Sequence, residues 1–264
     1  DNVEGNAFSD VPVFASSRRM YSFQMDQQAA GADVARFLLR AGYRSVAYFS
    51  PFHQHPFSPE RLDGIRRAYA ASGAGDTVVP YVLDTMKRAY YEKALRRAEQ
   101  HKALRVPREL FGAGVEADGM HRAHQEFEDM LYGWLRADRV RDTVLSNANT
   151  KAIQDAMDPL FSRALRKAEA DVWVCVNDET ALCALQFLER RNARVPERVG
   201  VVSFDNSDDA SYNDLTSYDF DASGIALHML DMILRPRSSP RSSQAERVVM
   251  VRGMVIPRGT TRAG

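Results

Sequence analysis

The sequence predicts an α/β protein, a parallel sheet flanked by helices, and three observations predict it. Short apolar runs of strand type alternate along the chain with segments whose apolar residues recur at helical spacing. One run, "DVWVCVN" at 171–177, is apolar without interruption, as a strand buried on both faces must be. The helical segments between runs are long enough to return the chain to a parallel neighbour, which makes right-handed βαβ units.

The elements follow in order. "VPVFAS" (11–16) is a short strand candidate that leads through "RRMYSFQMD" into "QQAAGADVARFLLRAGY". There Ala30, Val34, Phe37, Leu38 and Ala41 mark a helix that Gly42 stops. "SVAYFS" (45–50) is a β-branched and aromatic strand, followed by the loop "PFHQHPFSP" and a helix at "ERLDGIRRAYAASG" with Pro59 suited to its first turn. "TVVPYVLD" (77–84) is the next strand. From 85 to 140 only helical signals occur, and Phe127, Met130, Leu131, Trp134 and Leu135 draw one apolar stripe. The polar "SNANT" breaks that block before another helix at 151–168. Then come "DVWVCVN", the helix "DETALCALQFLERRN" and the strand within "VPERVGVVSFD". A helix "SGIALHMLDMIL", a Pro/Ser/Arg loop at 236–245 and one strand in "ERVVMVRGMVIP" complete the chain. No internal repeat is visible.

Bulk properties narrow the function. At 264 residues, and with roughly 150 residues per domain as a prior, two lobes are expected. Lys plus Arg and Asp plus Glu are both 35, so there is no basic field for holding phosphate backbones. No run approaches the roughly 18 apolar residues of a membrane helix. Cys175 and Cys183 have neither disulfide nor zinc spacing and read as buried thiols of a cytoplasmic protein. The N-terminus shows no signal-peptide pattern.

Four pieces coincide in order: "FSPERLDGI", "VNDETALCALQFLERRNARVPERVGVVSFDN", "LTSYDF" and "PRGTT". Together they resemble the effector-binding domain of LacI/GalR-family bacterial transcription regulators. The resemblance implies two Rossmann-like lobes, the type I periplasmic-binding-protein-like fold, joined by three crossovers with a small molecule between them. On that template the crossovers fall near 76, 216 and 236. The first lobe is then 1–76 plus 217–235, and the second is 77–216 plus 236–264, including a helical insertion at about 85–140. Because the chain starts almost at "VPVFAS", with no helix-turn-helix before it, the resemblance implies a fragment or a truncated first lobe. It further implies a homodimer that controls operator DNA through a headpiece absent from this chain, and a carbohydrate effector.

In such sheets ligands sit outside the carboxyl ends of the strands. Asp205 ends the buried run "VGVVSF", and its two oxygens can accept from adjacent sugar hydroxyls or bond the turn at Asn206 and Ser207. It matches the family's effector-contacting aspartate. Arg61 matches a ligand-reaching arginine whose planar fork grips oxygens bidentately; alternatively it pairs with Glu60 or Asp63. Asn177 offers a donor and an acceptor to a polyol, or caps the following helix, a task Asp178 could also perform. Asp26 contacts ligand or caps its own helix. Phe220 matches a contacting position after the "LTSYD" crossover, and Phe52, Phe57 and Tyr212 flank the strand ends, where stacking on a sugar competes with plain packing.

His121, His124 and Glu128 share one helix face, which a solvated polar surface explains better than a metal. His53 and His55 could face the cleft or simply belong to a Pro-rich surface loop. No phosphate loop, nucleophile elbow or HExxH motif occurs, so no cofactor, metal or catalytic residue is expected. The expected function is ligand sensing by a transcription regulator. The alternative is a solute-binding protein of a sugar uptake system; an enzyme, such as a hydrolase pairing Asp205 with a histidine, ranks below both.

Overall fold

The computed structural model describes residues 21–73, 77–84, 139–234 and 247–263. The strand expected at 11–16, the helical block up to 138 with His121, His124 and Glu128, and the loop at 236–245 lie outside them.

The elements of the described residues are β1 (Tyr21–Met25), α1 (Gln27–Arg40), β2 (Val46–Ser50), α2 (Phe57–Ala71), β3 (Val78–Val82), α3 (Arg139–Lys167), β4 (Val172–Cys175), α4 (Asp178–Arg190), β5 (Gly200–Phe204), α5 (Asp208–Tyr212), β6 (Thr216–Asp219), α6 (Ala222–Leu234), β7 (Arg247–Val251) and β8 (Met254–Ile256). Six strands form one sheet in the order β3-β2-β4-β5-β6-β8, and β1 pairs with β7 in a separate parallel ribbon. Every pairing in the large sheet is parallel except that of β6 with β8.

The strand alternation builds two cores, because successive side chains point to opposite faces. Val46, Tyr48, Val172, Val174, Val202 and Phe204 face α1 and α2. Ala47, Phe49, Trp173, Cys175 and Val201 face α3 and α4. On that second face Trp173 lies 4.8 Å from the Phe49 ring and 5.5 Å from Phe161. Each such fully buried aromatic contributes roughly 1.5–3 kcal/mol relative to exposure. This is the three-layer α/β arrangement that the alternating pattern predicts.

Three expectations need correction. The division near 76 separates Val46–Ser50 from Val78–Val82, yet β2 pairs directly with both β3 and β4. The chain instead passes between the two sheets after β1, after β6 and between β7 and β8. These points are near 26, 220 and 252 rather than 76, 216 and 236. Second, "ERVVMVRGMVIP" is two strands in different sheets, broken at Arg252 and Gly253. Third, "SNANT" does not interrupt a helix but lies inside α3. The few tenths of a kcal/mol per residue that Ser, Asn and Thr cost a helix are outweighed by the burial of Ile153, Met157 and Phe161 in its later turns.

Candidate functional site at the carboxyl ends of β2, β4 and β5

The chain leaves β2 outward to β3 and then returns to the other side of β2 as β4. Strand order therefore reverses between β2 and β4, the place where open α/β sheets leave a crevice outside their carboxyl ends. Arg61, in the second turn of α2, spans that point.

Two glycines bring Arg61 there. A Cβ on Gly31 of α1 would lie 2.1 Å from the Arg61 carbonyl oxygen, and one on Gly64 of α2 would lie 2.0 Å from the Gln28 carbonyl oxygen. Only hydrogen at both positions lets the helices approach so closely. Arg61 is consequently only 5% exposed. Its Nε donates to Gln27 Oε1 at 2.8 Å, its Nη1 donates to the Val176 carbonyl at the end of β4, and its Nη2 stands 3.7 Å from Asp205 Oδ1. The guanidinium carbon lies 4.6 Å from the Phe204 ring centroid, 4.9 Å from Phe220 and 5.2 Å from Phe57. The aromatic faces offset part of the cost of burying the cation. Burial lowers the Arg61 pKa, and Asp205 opposes that shift. The pairing with Glu60 or Asp63 weighed from sequence is not the one adopted: Asp63 instead pairs with Arg67 at 2.8 Å.

Asp205 follows β5 at φ 108°, and Asn206 follows at φ 50°. Both are conformations that L residues rarely adopt. The Asp205 amide still donates to the Tyr218 carbonyl at 2.9 Å, so the bend starts at the last rung of the β5–β6 ladder. Its side chain is 47% exposed. Desolvation nevertheless pushes its carboxyl up to about 6, with Arg61 lowering and Asp178 raising it. Among the described residues its only side-chain partner is Arg61, at a distance too long for a hydrogen bond.

Turn capping falls to others. Ser207 Oγ accepts from Ala210 N at 3.3 Å and caps α5. Asn206 is held on three sides: its amide donates to Ser217 Oγ at 3.0 Å, its Nδ2 to Asp219 Oδ2 at 3.1 Å, and Arg258 Nη2 donates to its Oδ1 at 2.6 Å. The "PRGTT" motif is thereby explained as a clamp. Thr260 Oγ1 bridges Thr216 N and the Val201 carbonyl, while Arg258 Nη1 also donates to the Leu215 carbonyl at 2.6 Å.

The remaining sequence candidates divide. Phe220 joins the site, although its ring is buried against Tyr218 at 4.9 Å and under Arg61. Asn177 caps α4, accepting from Thr180 N at 3.0 Å, so the cap is not Asp178. Asp26 caps α1 through Ala29 N at 2.8 Å and stands beside Gln27, the Arg61 partner. Phe52 packs against both cores in the β2–α2 loop, with its ring 6.2 Å from His55. Tyr212 is 85% exposed. His53 Nδ1 lies 3.0 Å from Ser58 Oγ, which donates to Ser50 Oγ at 2.8 Å, and burial lowers the His53 pKa. His55 stacks on Phe57 at 5.6 Å.

Two residues of the site were missed from sequence. Gln27 is buried and serves Arg61. Asp178 is 3% exposed and accepts from Ser203 Oγ, from Ser217 Oγ at 2.7 Å and from Ser207 N at 2.7 Å. The signal for Asp178 was the pair of serines in the otherwise apolar "VVSF" and in "TSYD", since buried hydroxyls need partners.

Residues 119–261 match the family model of a periplasmic binding protein-like domain. The chain belongs to that family. No curated protein matches it significantly. Among solved structures it is similar to the Escherichia coli transcriptional repressor ascG, at 17% identity and TM-score 0.52, covering 91% of this chain and 64% of that one. A PurR family transcriptional regulator from Vibrio parahaemolyticus is 14% identical with TM-score 0.53, covering 95% and 68%. A periplasmic binding protein/LacI transcriptional regulator from Alkaliphilus metalliredigens, complexed with D-xylulofuranose, is 13% identical with TM-score 0.51, covering 96% and 71%. The chain thus spans less than two thirds of the length of the E. coli repressor. At these identities the likeness establishes the fold. No helix among the described residues is long and apolar enough to cross a membrane.

Proposed function

We propose that this chain is the ligand-sensing domain of a LacI/GalR-like transcription regulator that binds a small carbohydrate beside Asp205 and Arg61. The observation that carries the reading is the Asp205–Arg61 pair. A carboxylate with free acceptor capacity stands 3.7 Å from a buried guanidinium at the switch point of the sheet. A sugar hydroxyl bridging them donates to Asp205 and accepts from Arg61 Nη2, two charge-assisted bonds. Asn177 and Phe220 adjoin this position, and Asp26 borders it through Gln27. Phe52 is a contact only for a ligand large enough to reach the β2–α2 loop.

The resemblance of the ordered motifs and the regulators among the similar folds support regulation over uptake. In this reading the ligand favours one arrangement of a homodimer by its differential affinity, and a helix-turn-helix headpiece reads that arrangement on operator DNA. The gene's upstream coding sequence tests this arm: a helix-turn-helix supports it, and a signal peptide in its place refutes it.

The ligand arm is tested by a thermal-shift panel of D-xylulose, D-ribose, D-glucose, D-galactose, carboxylic acids and nucleobases. A saturating ligand at 100 times its Kd adds about 2.7 kcal/mol, worth roughly 2–4 °C per kcal/mol in a chain of this size. A neutral sugar is expected to raise the Tm of the native protein and not that of Asp205→Ala. Equal stabilisation of both proteins, or stabilisation by acids alone, overturns the assignment.

A further inference from the structure

We propose that Asp178 is a positioning residue that holds Asp205 in its ligand-facing conformation, an inference that rests on Asp205 being the effector contact. Asp178 is the first residue of α4, where the helix N-terminus favours its negative charge. It is buried, and its two oxygens are shared among three donors from three segments. Oδ1 accepts from Ser203 Oγ of β5 and Ser217 Oγ of β6, and Oδ2 accepts from Ser207 N of the loop after β5. Ser217 Oγ in turn accepts from Asn206 N at 3.0 Å. The two amides that follow Asp205 are therefore tied to one carboxylate, one directly and one through a hydroxyl.

That tether lies where the backbone needs it. Asp205 and Asn206 sit consecutively at φ 108° and φ 50°, conformations that persist only when the surroundings over-determine them. With the Asp205 amide fixed to Tyr218 on one side and the Asn206 and Ser207 amides fixed to Asp178 on the other, the carboxylate of Asp205 is turned out of the sheet toward Arg61. An amide in place of Asp178 matches its shape and can still accept from the serines. Its nitrogen cannot accept from Ser207 N, and an amide turned over to restore that bond does so without the charge, so in either orientation Asp178→Asn weakens the tether while filling the same space.

The test compares the native protein with Asp178→Asn, Asp205→Ala, the double variant and Leu188→Ala, which opens the core at the far end of α4 without touching the tether. Two readouts need no ligand. The three-bond HN–Hα coupling of Asp205 is small at φ 108° and becomes large as the residue relaxes to extended chain. Amide exchange of Asn206 and Ser207 reports the tether itself. Asp178→Asn is expected to enlarge the coupling and to speed the Ser207 amide at least about tenfold relative to those of β4, since its bond to a charged acceptor is lost, and to speed the Asn206 amide, which keeps Ser217 Oγ, by less. Leu188→Ala is expected to leave the coupling unchanged. The third readout is affinity for the panel sugar that stabilises the native protein. It is expected to fall at least about tenfold in Asp178→Asn and to fall no further when Asp178→Asn is added to Asp205→Ala.

An unchanged coupling and unchanged exchange in Asp178→Asn overturn the proposal, as do binding losses that simply add. Should no panel sugar bind the native protein, the carbohydrate reading fails, while coupling and exchange still decide whether Asp178 sets the Asp205 backbone.

Discussion

Strands β4 and β5 end on mirror-image pairs, Asn177-Asp178 and Asp205-Asn206, and the two carboxylates have opposite fates. Asp178 is buried and takes three hydrogen bonds, at least one on each oxygen. Asp205 is half exposed in a strained conformation, and among the described residues it has one partner at 3.7 Å. The amides are exchanged in the same sense. Asn177 spends its oxygen on the helix cap, and Asn206 is locked by Arg258, Asp219 and Ser217. The difference teaches that residue type at a strand end does not decide the role. The role follows from which acceptor is left unfilled, because a satisfied carboxylate has nothing further to offer a ligand.

The most severe way to break this comparison is to remove the satisfied member. Asp178→Ala takes the acceptor from two buried serine hydroxyls and the part-buried Ser207 amide, and a loss of roughly 3–5 kcal/mol is expected in urea unfolding. A loss under about 1 kcal/mol would mean that water replaces the carboxylate at little cost, and Asp178 would then belong with Asp205. The next largest effect acts on the other member through its partner. In Gly64→Ala the new methyl meets the Gln28 carbonyl oxygen at 2.0 Å, so α1 and α2 must separate and withdraw Arg61 from Asp205. A helical glycine replaced by alanine should gain about 1 kcal/mol in propensity. A net loss of about 1–3 kcal/mol is expected instead, since overpacking against backbone outweighs it. A stabilised variant would show that the close crossing is not what seats Arg61.

The sequence made the elements legible and left their partners obscure. Strands such as "VAYFS" and "VWVC" declare themselves by β-branched and aromatic content, yet nothing in Val46–Ser50 says whether it pairs with a strand of one sheet or the other. Pairing is set by packing across layers, and the division drawn at 76 failed to anticipate β2 lying between β3 and β4. Likewise "ERVVMVRGMVIP" carries one continuous apolar signal, although the Gly253 amide is bound by the Tyr218 hydroxyl at the break. In the site, Arg61 and Asp205 could be singled out because a long ordered motif surrounds them and the strand-end rule points at them. The exchange of roles between Asn177 and Asp178 could not, because both residues can cap a helix and only the depth of Ser203 and Ser217 distinguishes them. Gln27 carried no signal, since a glutamine at a helix start reads as solvated surface.

The gentlest test reads the comparison through protons. The Asp205 carboxyl titrates at about 6 in the folded protein, above the roughly 3.9 of an unfolded chain, with desolvation as the main cause. The folded state thus holds that proton more tightly. The resulting stability is present in full below about pH 4 and is lost as pH rises through about 6. Solvent screens a side chain that is 47% exposed, so the amplitude is on the order of 1 kcal/mol or less. Subtracting the urea stability of Asp205→Asn from that of the native protein between pH 4 and 7 should expose it, with the variant gaining on the native protein as pH rises. Effector affinity should run the other way, rising with pH through about 6, because the ionised carboxylate accepts at both oxygens and its bonds to hydroxyls are charge-assisted. Opposite slopes for folding and binding belong to a carboxylate kept for a ligand. A native protein that instead gains on the variant as pH rises would mean that bonds to the ionised Asp205 carboxylate outweigh its desolvation, and the contrast between the two strand ends would disappear.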